Sequence, residues 1–255
     1  MEIDYTKETI ELEGYWKERN DQMIMDRNII NLVKTEVQKS DKTKWMDNEP
    51  KVLYDTAVNL MSSYPPRFRF PLSINFEEEE RKKMNKAERF VIGLFRDLDR
   101  RQMARGQNRW DRELCYWICS GMCPVFTRVE KDGKDVKFLA DIFDPMTVYP
   151  KWDADGLVKL IRSYEVDKIT AMSMAEGWKS KGLDFLLKDF GNVSTVKVIN
   201  YWLNDRGKVY NAILLGGQEV KALTLEPFKH IPFVIGVVGV PDKISAGWNG
   251  RYFEN

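Results

Sequence analysis

Residues 193–223 read VSTVKVINYWLNDRGKVYNAILLGGQEVKAL, three strand-like runs separated by two short turns. The runs 193–203, 209–215 and 219–223 are rich in β-branched and aromatic side chains, which favour strands. The turn signals between them are Asp205-Arg206-Gly207 and Gly216-Gly217. Turns this short join antiparallel strands, because a parallel pair needs a crossover of about a dozen residues or more. The stretch therefore predicts a mainly antiparallel sheet and not a doubly wound parallel one.

Four further runs of strand character precede this stretch, and their turns carry similar signals. The runs are 125–129, 136–143, 147–152 and 157–166. Asp132-Gly133 lies between the first two, and Asp-Gly is a strong hairpin signal. The segment 153–156 (DADG) separates the last two; it has the opening of a calcium loop but none of the later ligands, so we interpret it as a turn. A helix over about 167–181 interrupts the strands.

Before residue 121 the apolar residues recur with the 3.6-residue period of helices. We expect a first helix at 15–37 and a second that begins near Pro50, since proline is tolerated in a first turn. The third and strongest helix is capped by Asn75, begins with the glutamates at 77–80 and ends before Gly106. A shorter fourth helix covers 108–120. The predicted core stripes are Leu53, Ala57, Leu60 and Met61 in the second helix, and Met84, Ala87, Val91, Leu94 and Leu98 in the third.

These patterns predict the α+β class, in which an N-terminal helical region packs with a mainly antiparallel β region. We expect the helical region at 1–121 and the β region, with its one inserted helix, at 122–240. Residues 241–255 are rich in glycine and aromatic side chains and contain no recognisable final element. We interpret them as a tail of the kind that a truncated chain would have.

The amino-acid composition excludes several classes of protein function. Apolar residues make up 43% of the 255 residues and charged residues 31%, which excludes a mostly disordered chain. The formal charge of +1 argues against a protein whose main function is to bind nucleic acid, but it does not exclude local basic patches. No Walker loop or Gly-x-Gly-x-x-Gly pattern opens a helix, so nothing supports nucleotide binding. The apolar runs are too short to cross a bilayer, and we expect no membrane contact.

Cys115, Cys119 and Cys123 are the sharpest chemical pattern in the sequence. Their spacing is close to that of radical enzymes that hold an iron–sulfur cluster, but the last interval is one residue too long. The first two lie on a predicted apolar helix, where cysteine behaves as a small hydrophobic residue. We interpret the three cysteines as packing residues and not as metal ligands.

Two other candidates for chemistry are weaker. Glu165 and Lys168 resemble the acid–lysine pair of metal-dependent nucleases, yet the residues after Val166 look like a helix cap. His230 has no neighbouring Ser, Cys or Asp pattern from which a triad could be proposed. We therefore predict no catalytic residue, no metal site and no cofactor, and keep an iron–sulfur or nuclease-like enzyme as an alternative.

A basic cluster lies where the third predicted helix ends and the fourth begins. A helix C-terminus with a solvated surface would account for its arginines. Arginine and tryptophan are also favoured anchors of interfaces, so the cluster is a candidate contact for another subunit or for nucleic acid. Its members are Arg96, Arg100, Arg101, Arg105, Arg109, Trp110 and Arg112.

Seven segments follow one another in an order that is itself informative. They are 48–55 (NEPKVLYD), 109–114 (RWDREL), 123–127 (CPVFT), 144–150 (DPMTVYP), 160–164 (LIRSY), 198–202 (VINYW) and 230–234 (HIPFV). In this order they resemble the N-terminal, wing-containing half of the portal proteins of tailed bacteriophages, over about residues 15–240. The resemblance lies in the order of the motifs, since each motif alone is loose.

The resemblance implies a structural subunit of a ring, usually of twelve copies, at one vertex of the phage head. DNA passes through such a ring during packaging and ejection, and terminase and tail attach to it. The implied location is the virion, and the host cytoplasm during assembly. The implied partners are other copies of the chain, the terminase large subunit, a head–tail adaptor, capsid and scaffold proteins, and the double-stranded DNA in the channel. No enzyme activity is implied, and an interaction module from outside phages is a second alternative.

Overall fold

The computed structural model describes residues 3–33, 48–64, 78–132, 135–153, 156–179 and 194–237. Within these residues helix accounts for about 48% and strand for about 36%, which confirms the α+β class. The chain divides into two compact units. The described residues within 3–24 and 143–233 belong to the first, here called the sheet unit. The described residues within 25–142 and 234–237 belong to the second, the helical unit.

The described residues contain six α-helices, five of which precede the first strand. The predicted change from helix to strand near residue 121 is confirmed, because the fifth helix ends at Cys119 and the first strand begins at Met122. No helix among the described residues has both the length and the apolar character needed to cross a membrane. The helices are α1 (Tyr5–Tyr15), α2 (Lys17–Ile30), α3 (Glu49–Ser62), α4 (Glu78–Ala104), α5 (Trp110–Cys119) and α6 (Lys168–Lys179).

The strands of the described residues form two sheets. A five-stranded sheet has the order β3-β4-β5-β6-β7 and pairs antiparallel throughout, as the hairpin signals predict. A three-stranded sheet has the order β2-β1-β8. The strands are β1 (Met122–Asp132), β2 (Asp135–Ile142), β3 (Val148–Asp153), β4 (Gly156–Asp167), β5 (Thr195–Asp205), β6 (Lys208–Leu215), β7 (Gln218–Leu225) and β8 (Phe233–Val237).

The boundary of the two compact units differs from the predicted division at residue 121. The N-terminal helix α1 packs on the five-stranded sheet, so it belongs to the sheet unit. The β1–β2 hairpin packs on α4 and α5, so it belongs to the helical unit. Each unit therefore draws on both the helical and the strand-rich part of the sequence. The predicted tail at 241–255 lies outside the described residues.

The first predicted helix, at 15–37, is wrong in its bounds. Within that range the described residues contain one helix, α2, and a second helix that was not predicted, α1, precedes it; the two meet at Trp16, a residue with non-helical backbone angles. The Trp16 indole Nε1 donates to the Pro150 carbonyl at 2.9 Å and is buried, which holds the break against the sheet. Helical periodicity alone does not reveal such a break, because it depends on a partner 134 residues away.

One face of the five-stranded sheet is covered by α1. The apolar core between them contains Leu12 and Trp16 of the helix, and Ile161, Ile199 and Tyr201 of the sheet. The opposite face is partly covered by α6, whose alanines pack against valines of β5 and against Leu215. Each face of the sheet therefore carries buried apolar side chains, Ile199 and Tyr201 on one and Val196 and Val198 on the other.

Two carboxylates of α1 fasten the helix to polar groups on the sheet. Glu8 accepts hydrogen bonds from Lys159 Nζ and Tyr201 Oη, both at 2.7 Å. Glu13 Oε1 accepts from Lys197 Nζ and Ser163 Oγ, also at 2.7 Å. Hydrogen bonds to charged groups are stronger than those between neutral groups. These two sites orient α1 on the sheet while the apolar core supplies most of the burial.

The segment 144–150 is held by the start of α2. The Arg19 guanidinium donates to the carbonyls of Pro145, at 2.9 Å, and Val148, at 3.2 Å. It also lies over the Trp16 ring, 4.5 Å from its centroid. Burial lowers the pKa of Arg19 to about 10, so the side chain remains charged at neutral pH. The short 3₁₀ turn Pro145–Thr147 that begins this segment is thus supported from another part of the sheet unit.

The helical unit has its own core, in which α4 and α5 pack on the β1–β2 hairpin. Leu98, Trp110, Cys123, Val125 and Ala140 are buried together there. The predicted stripe of α4 is confirmed, since its five positions are all buried or half-buried. The predicted cap Asn75 lies outside the described residues.

The predicted core stripe of α3 is wrong, because the helix faces its neighbour with a different side. Val58 and Ser62 are buried, and Tyr54 Oη donates to the Tyr116 carbonyl of α5 at 2.6 Å. These three residues recur every four positions, so they share one face of the helix. Leu53 and Leu60 are instead 69% and 64% exposed.

The strand β8 has no counterpart among the predictions. Residues 233–237 (FVIGV) form this five-residue strand. It follows Pro227 and Pro232 closely in the sequence. It joins the sheet beside β1, about 110 residues earlier in the chain, which sequence periodicity cannot reveal.

Candidate functional site

The long helix α4 determines where most of the predicted basic cluster lies. Its apolar stripe faces the core of the helical unit, while Glu78, Glu79 and Glu80 lie in the first turn and Arg101 in the last. This charge order stabilises the helix through its dipole. The opposite face of α4 is left for polar and charged side chains.

The structure separates the predicted arginines into two groups. Arg96, Arg100, Arg105 and Arg112 are exposed. Arg101 and Arg109 have partners within the chain: Arg101 Nη1 donates to the Phe138 carbonyl at 3.0 Å, and Arg109 pairs with Asp111. The first group and Arg109, which is also exposed, can contact another molecule directly, although Arg100 pairs with Asp97. Arg101 is half-buried and supports the fold.

Trp110 is not part of an exposed contact surface, and this part of the prediction is corrected. Its side chain is only 6% exposed, and Nε1 donates to the Ala140 carbonyl at 2.7 Å. The ring lies 5.3 Å from that of Phe95 in an edge-to-face arrangement. An arginine-flanked tryptophan in the sequence resembles an interface anchor, but here it closes the core between α4, α5 and β2.

The ion pairs near the cluster shift the ionisation of their members. Burial acts to raise the pKa of Asp97, but hydrogen bonds from Arg100 and Arg101 outweigh it, so the pKa lies below its usual range. The hydrogen bond to Asp111 raises the pKa of Arg109 against a smaller opposing effect of burial. Both shifts favour the charged form, so Asp97 and Arg109 are held as members of ion pairs.

Three basic residues of α4 were missed in the sequence analysis, although their spacing was available. Lys82, Lys86 and Arg89 precede Arg96 and Arg100 at intervals of four, three, seven and four residues. Residues at such intervals lie on the same side of a helix. All five are exposed. The structure thus extends the exposed basic surface along α4, away from the α4–α5 junction where the prediction had centred it.

The cysteines are embedded in the helical unit. Cys115 and Cys123 are buried, and Cys119 is half-buried with its Sγ 3.6 Å from Met61 Sδ. Burial raises the pKa of all three thiols, that of Cys123 to about 12. A raised pKa disfavours the thiolate that a metal ligand or nucleophile needs. Among the described residues no group of three or more His, Cys, Asp or Glu side chains is arranged to hold a metal ion.

Glu165 and Lys168 lie at the end of β4 and the start of α6. Glu165 Oε2 accepts from Thr195 Oγ1 at 3.0 Å across the β4–β5 pair. Asp167, between them, accepts from the backbone N–H of Thr170 at 2.9 Å and so caps α6. The helix-cap interpretation of this segment is therefore confirmed. Asp153 and Gly156 pair at the β3–β4 turn, where Gly156 has a φ of 115°.

An uncovered apolar row lies on α3. Leu53 and Leu60, at 69% and 64% exposed, recur on α3 at an interval of seven residues, and Tyr64, at 73%, lies two residues beyond the end of the helix. Water contact at three large side chains in one row is unusual for a surface without a partner. The exposed arginines and this row are two features of the described surface that suggest contacts with other molecules. In comparisons with known proteins, no family model matches the chain, and no curated protein matches it.

Proposed function

We propose that the chain is a structural subunit of a phage portal ring at the capsid vertex. In this role it forms part of the conduit for DNA packaging and ejection and of the attachment point for terminase and tail. The support comes from the order of the seven sequence segments, with which the α+β fold is compatible. The proposed location is the portal vertex of the virion, and the host cytoplasm during assembly.

The observation that carries the proposal is the apolar row of α3. A ring of identical subunits needs a surface on each copy that a different surface of the next copy covers. Leu53, Leu60 and Tyr64 would supply apolar side chains to such an interface, whose centre is usually depleted of charge. A single copy in water gains nothing from exposing them. The row is thus what a subunit of a larger assembly would present.

The experiment is to measure the native mass of the purified chain at high concentration and to image it by negative stain. The proposal expects a closed ring with a central hole. The variant Leu53→Lys/Leu60→Lys should remain folded, because both positions are exposed, but should run as a monomer. A matched control is Ile169→Lys/Met172→Lys, which places the same charges at exposed apolar positions of α6. The control should still form rings.

Two results would contradict the proposal. A wild-type chain that stays monomeric, or forms only open aggregates, would leave the apolar row without its proposed role. Bound iron or another metal at one equivalent per chain would instead favour the enzyme alternative. A ring that survives the α3 substitutions but not the α6 substitutions would move the interface to another surface.

A further inference from the structure

The exposed face of α4 carries five cations in one row. They occupy relative positions 0, 4, 7, 14 and 18 of the helix, which all lie within a narrow band of its surface. With a rise of 1.5 Å per residue, the row is roughly 27 Å long. It lies opposite the apolar stripe that packs into the core of the helical unit. We call this row the basic stripe; its members are Lys82, Lys86, Arg89, Arg96 and Arg100.

Most charges of the basic stripe are not neutralised by other side chains that the structure describes. Within the described residues, Lys86, Arg89 and Arg96 form no ion pair. Lys82 pairs with Glu78 at 3.1 Å and Arg100 with Asp97, but their own side chains are 70% and 80% exposed. The pair of Lys82 and Glu78 is exposed on both sides, and such pairs are weak and easily exchanged for another anion; Asp97 is half-buried and also pairs with Arg101. The stripe is therefore available to an external polyanion.

Gly93 lies in the middle of the basic stripe, at relative position 11. Glycine in a helix interior is unfavourable, because the backbone loses more freedom there than with any other residue. No internal packing accounts for it, since a Cβ added at Gly93 would meet nothing within 4 Å. Its φ is not positive, so the backbone does not require glycine either. What the missing side chain does provide is a bare section of helix surface between Arg89 and Arg96.

We propose that the basic stripe binds the phosphate backbone of duplex DNA, with Gly93 at the point of closest approach. Lysine and arginine recognise phosphate by charge and by hydrogen bonding. Interfaces with nucleic acid are far more basic than interfaces with proteins, whose centres favour aromatic and apolar anchors. The centre of this stripe is instead Gly93, which has no side chain that could serve as such an anchor.

Other polyanions fit the stripe less well. A single strand would be expected to stack on a series of aromatic rings, whereas the stripe is flanked by one exposed ring, that of Phe90. A membrane surface would require the apolar face of α4, which is already packed in the core of the helical unit. The net charge of +1 does not oppose the proposal, because the stripe is local. The choice of DNA over RNA rests on the proposed function, whereas the argument for phosphate rests on α4 alone.

The test is the affinity of the full chain for a short DNA duplex, measured by fluorescence anisotropy over a series of salt concentrations. Five phosphate contacts predict a slope of log K against log salt of up to roughly −4.5. The variant Lys86→Gln/Arg89→Gln/Arg96→Gln should bind at least about tenfold more weakly and lose roughly two to three units of that slope. The matched control, Lys7→Gln/Lys208→Gln/Lys229→Gln, removes the same charge from exposed sites outside α4 and should bind as the wild type does.

Gly93→Gln separates binding from folding. Glutamine is a good helix former and meets open space, so the variant should have a higher melting temperature than the wild type. Its side chain would nevertheless separate the helix from the duplex and weaken binding by several-fold. A variant that is both more stable and equally tight in binding would overturn the role of Gly93.

Three results would overturn the proposal as a whole. One is no binding of the duplex at low salt; another is an equal loss of affinity in the α4 variant and the control. The third is stripe-dependent binding of polyglutamate or of an RNA duplex in preference to DNA. The measurement does not depend on ring formation. A monomer that binds DNA through the stripe would support this inference while contradicting the ring, and a ring without stripe-dependent binding would do the reverse.

Discussion

At the scale of single residues, charged groups of the sheet unit hold its N-terminal helix on its sheet through hydrogen bonds. Glu8 accepts from Lys159 and Tyr201, and so ties α1 to two neighbouring strands. Burial acts to raise the pKa of Glu8, but these hydrogen bonds and the nearby lysines outweigh it, and the pKa is lowered. Conversely, burial and the Glu8 carboxylate raise the pKa of Tyr201, so its hydroxyl stays protonated as the donor.

The contribution of Glu8 to stability should depend on pH in a defined direction. A carboxylate whose pKa is lowered by folding stabilises the protein above its ordinary pKa of 4.5, and the effect is lost as the pH falls through the folded value. We expect Glu8→Gln to reduce the free energy of unfolding by about 1–2 kcal/mol at pH 7 and by almost nothing once the pH lies well below that range. Urea denaturation at both pH values measures this.

The matched control for this prediction is Glu11→Gln. Glu11 lies on the same helix but is exposed, so its substitution should have little effect at either pH. An effect of Glu8→Gln that stays constant from neutral to acid pH would contradict the assignment, because it would then come from packing and not from charge.

A second residue-scale prediction concerns glycine. Gly93→Ala should raise the free energy of unfolding by about 0.5–1 kcal/mol, because alanine restricts the unfolded chain and meets open space in α4. Gly121→Ala is the contrasting control: Gly121 has a φ of 101°, which alanine adopts only with strain, so this variant should be less stable. Thermal unfolding of the two variants should therefore give shifts of opposite sign. Destabilisation by Gly93→Ala would indicate a packing role for this position.

At the scale of elements, α3 is the clearest case in which packing overrides pattern. The sequence places Leu53, Leu60 and Met61 on one stripe, as a core-facing helix would. The structure instead turns Tyr54, Val58 and Ser62 towards α5. The Tyr54 hydroxyl bonds to the Tyr116 carbonyl at 2.6 Å and lies 2.7 Å from Ser120 Oγ. The helix is thus rotated about its axis relative to the predicted orientation. Specific hydrogen bonds accompany this orientation, which leaves Leu53 and Leu60 exposed to water.

Substitutions on the two sides of α3 should lower the free energy of unfolding by different amounts. Val58→Ala should lower the free energy of unfolding by about 2 kcal/mol, since it leaves a cavity at a site only 3% exposed. Leu53→Ala should change it by less than about 0.5 kcal/mol in the unassembled chain, because Leu53 is exposed there. Chemical denaturation of the two variants at low protein concentration measures the difference. Equal costs would mean that α3 packs with its predicted stripe after all.

At the scale of the whole molecule, the chain builds two cores. The core of the sheet unit contains Leu12, Trp16 and Tyr201, and that of the helical unit contains Leu98 and Trp110. The sheet unit is discontinuous in sequence, because residues 25–142 lie between its N-terminal helix and its first strand. Separate cores allow separate local stabilities.

Weakening one core should therefore act mainly on its own unit. Leu12→Ala removes buried volume where α1 meets the five-stranded sheet, and we expect a loss of about 2–3 kcal/mol there. Native-state hydrogen exchange should show faster exchange of amides in β4, β5 and β6, while amides paired between β1 and β2 keep their protection. Equal acceleration in both sheets would show that the two units unfold as one.

Much of the fold could be predicted because its signals are local. The hairpins of the five-stranded sheet follow from alternating runs and glycine turns, and the helix α4 follows from its stripe and its charge order. The exposed row of Lys82, Lys86 and Arg89 was equally local and could have been found from spacing alone. Helical and strand periodicity depend only on neighbours within a few residues, so the sequence by itself determines them.

What only the tertiary structure decided depends on partners far apart in the chain. The break at Trp16 depends on the Pro150 carbonyl, the burial of Trp110 on Ala140, and the strand β8 on its place beside β1. The rotation of α3 and the assignment of α1 to the sheet unit have the same origin. Hydrogen bonds and apolar contacts between distant segments contribute free energies comparable to local propensities, and they are formed only once the chain is folded. For this protein, the sequence determined the elements and their order, and tertiary contacts decided which faces of those elements remain exposed.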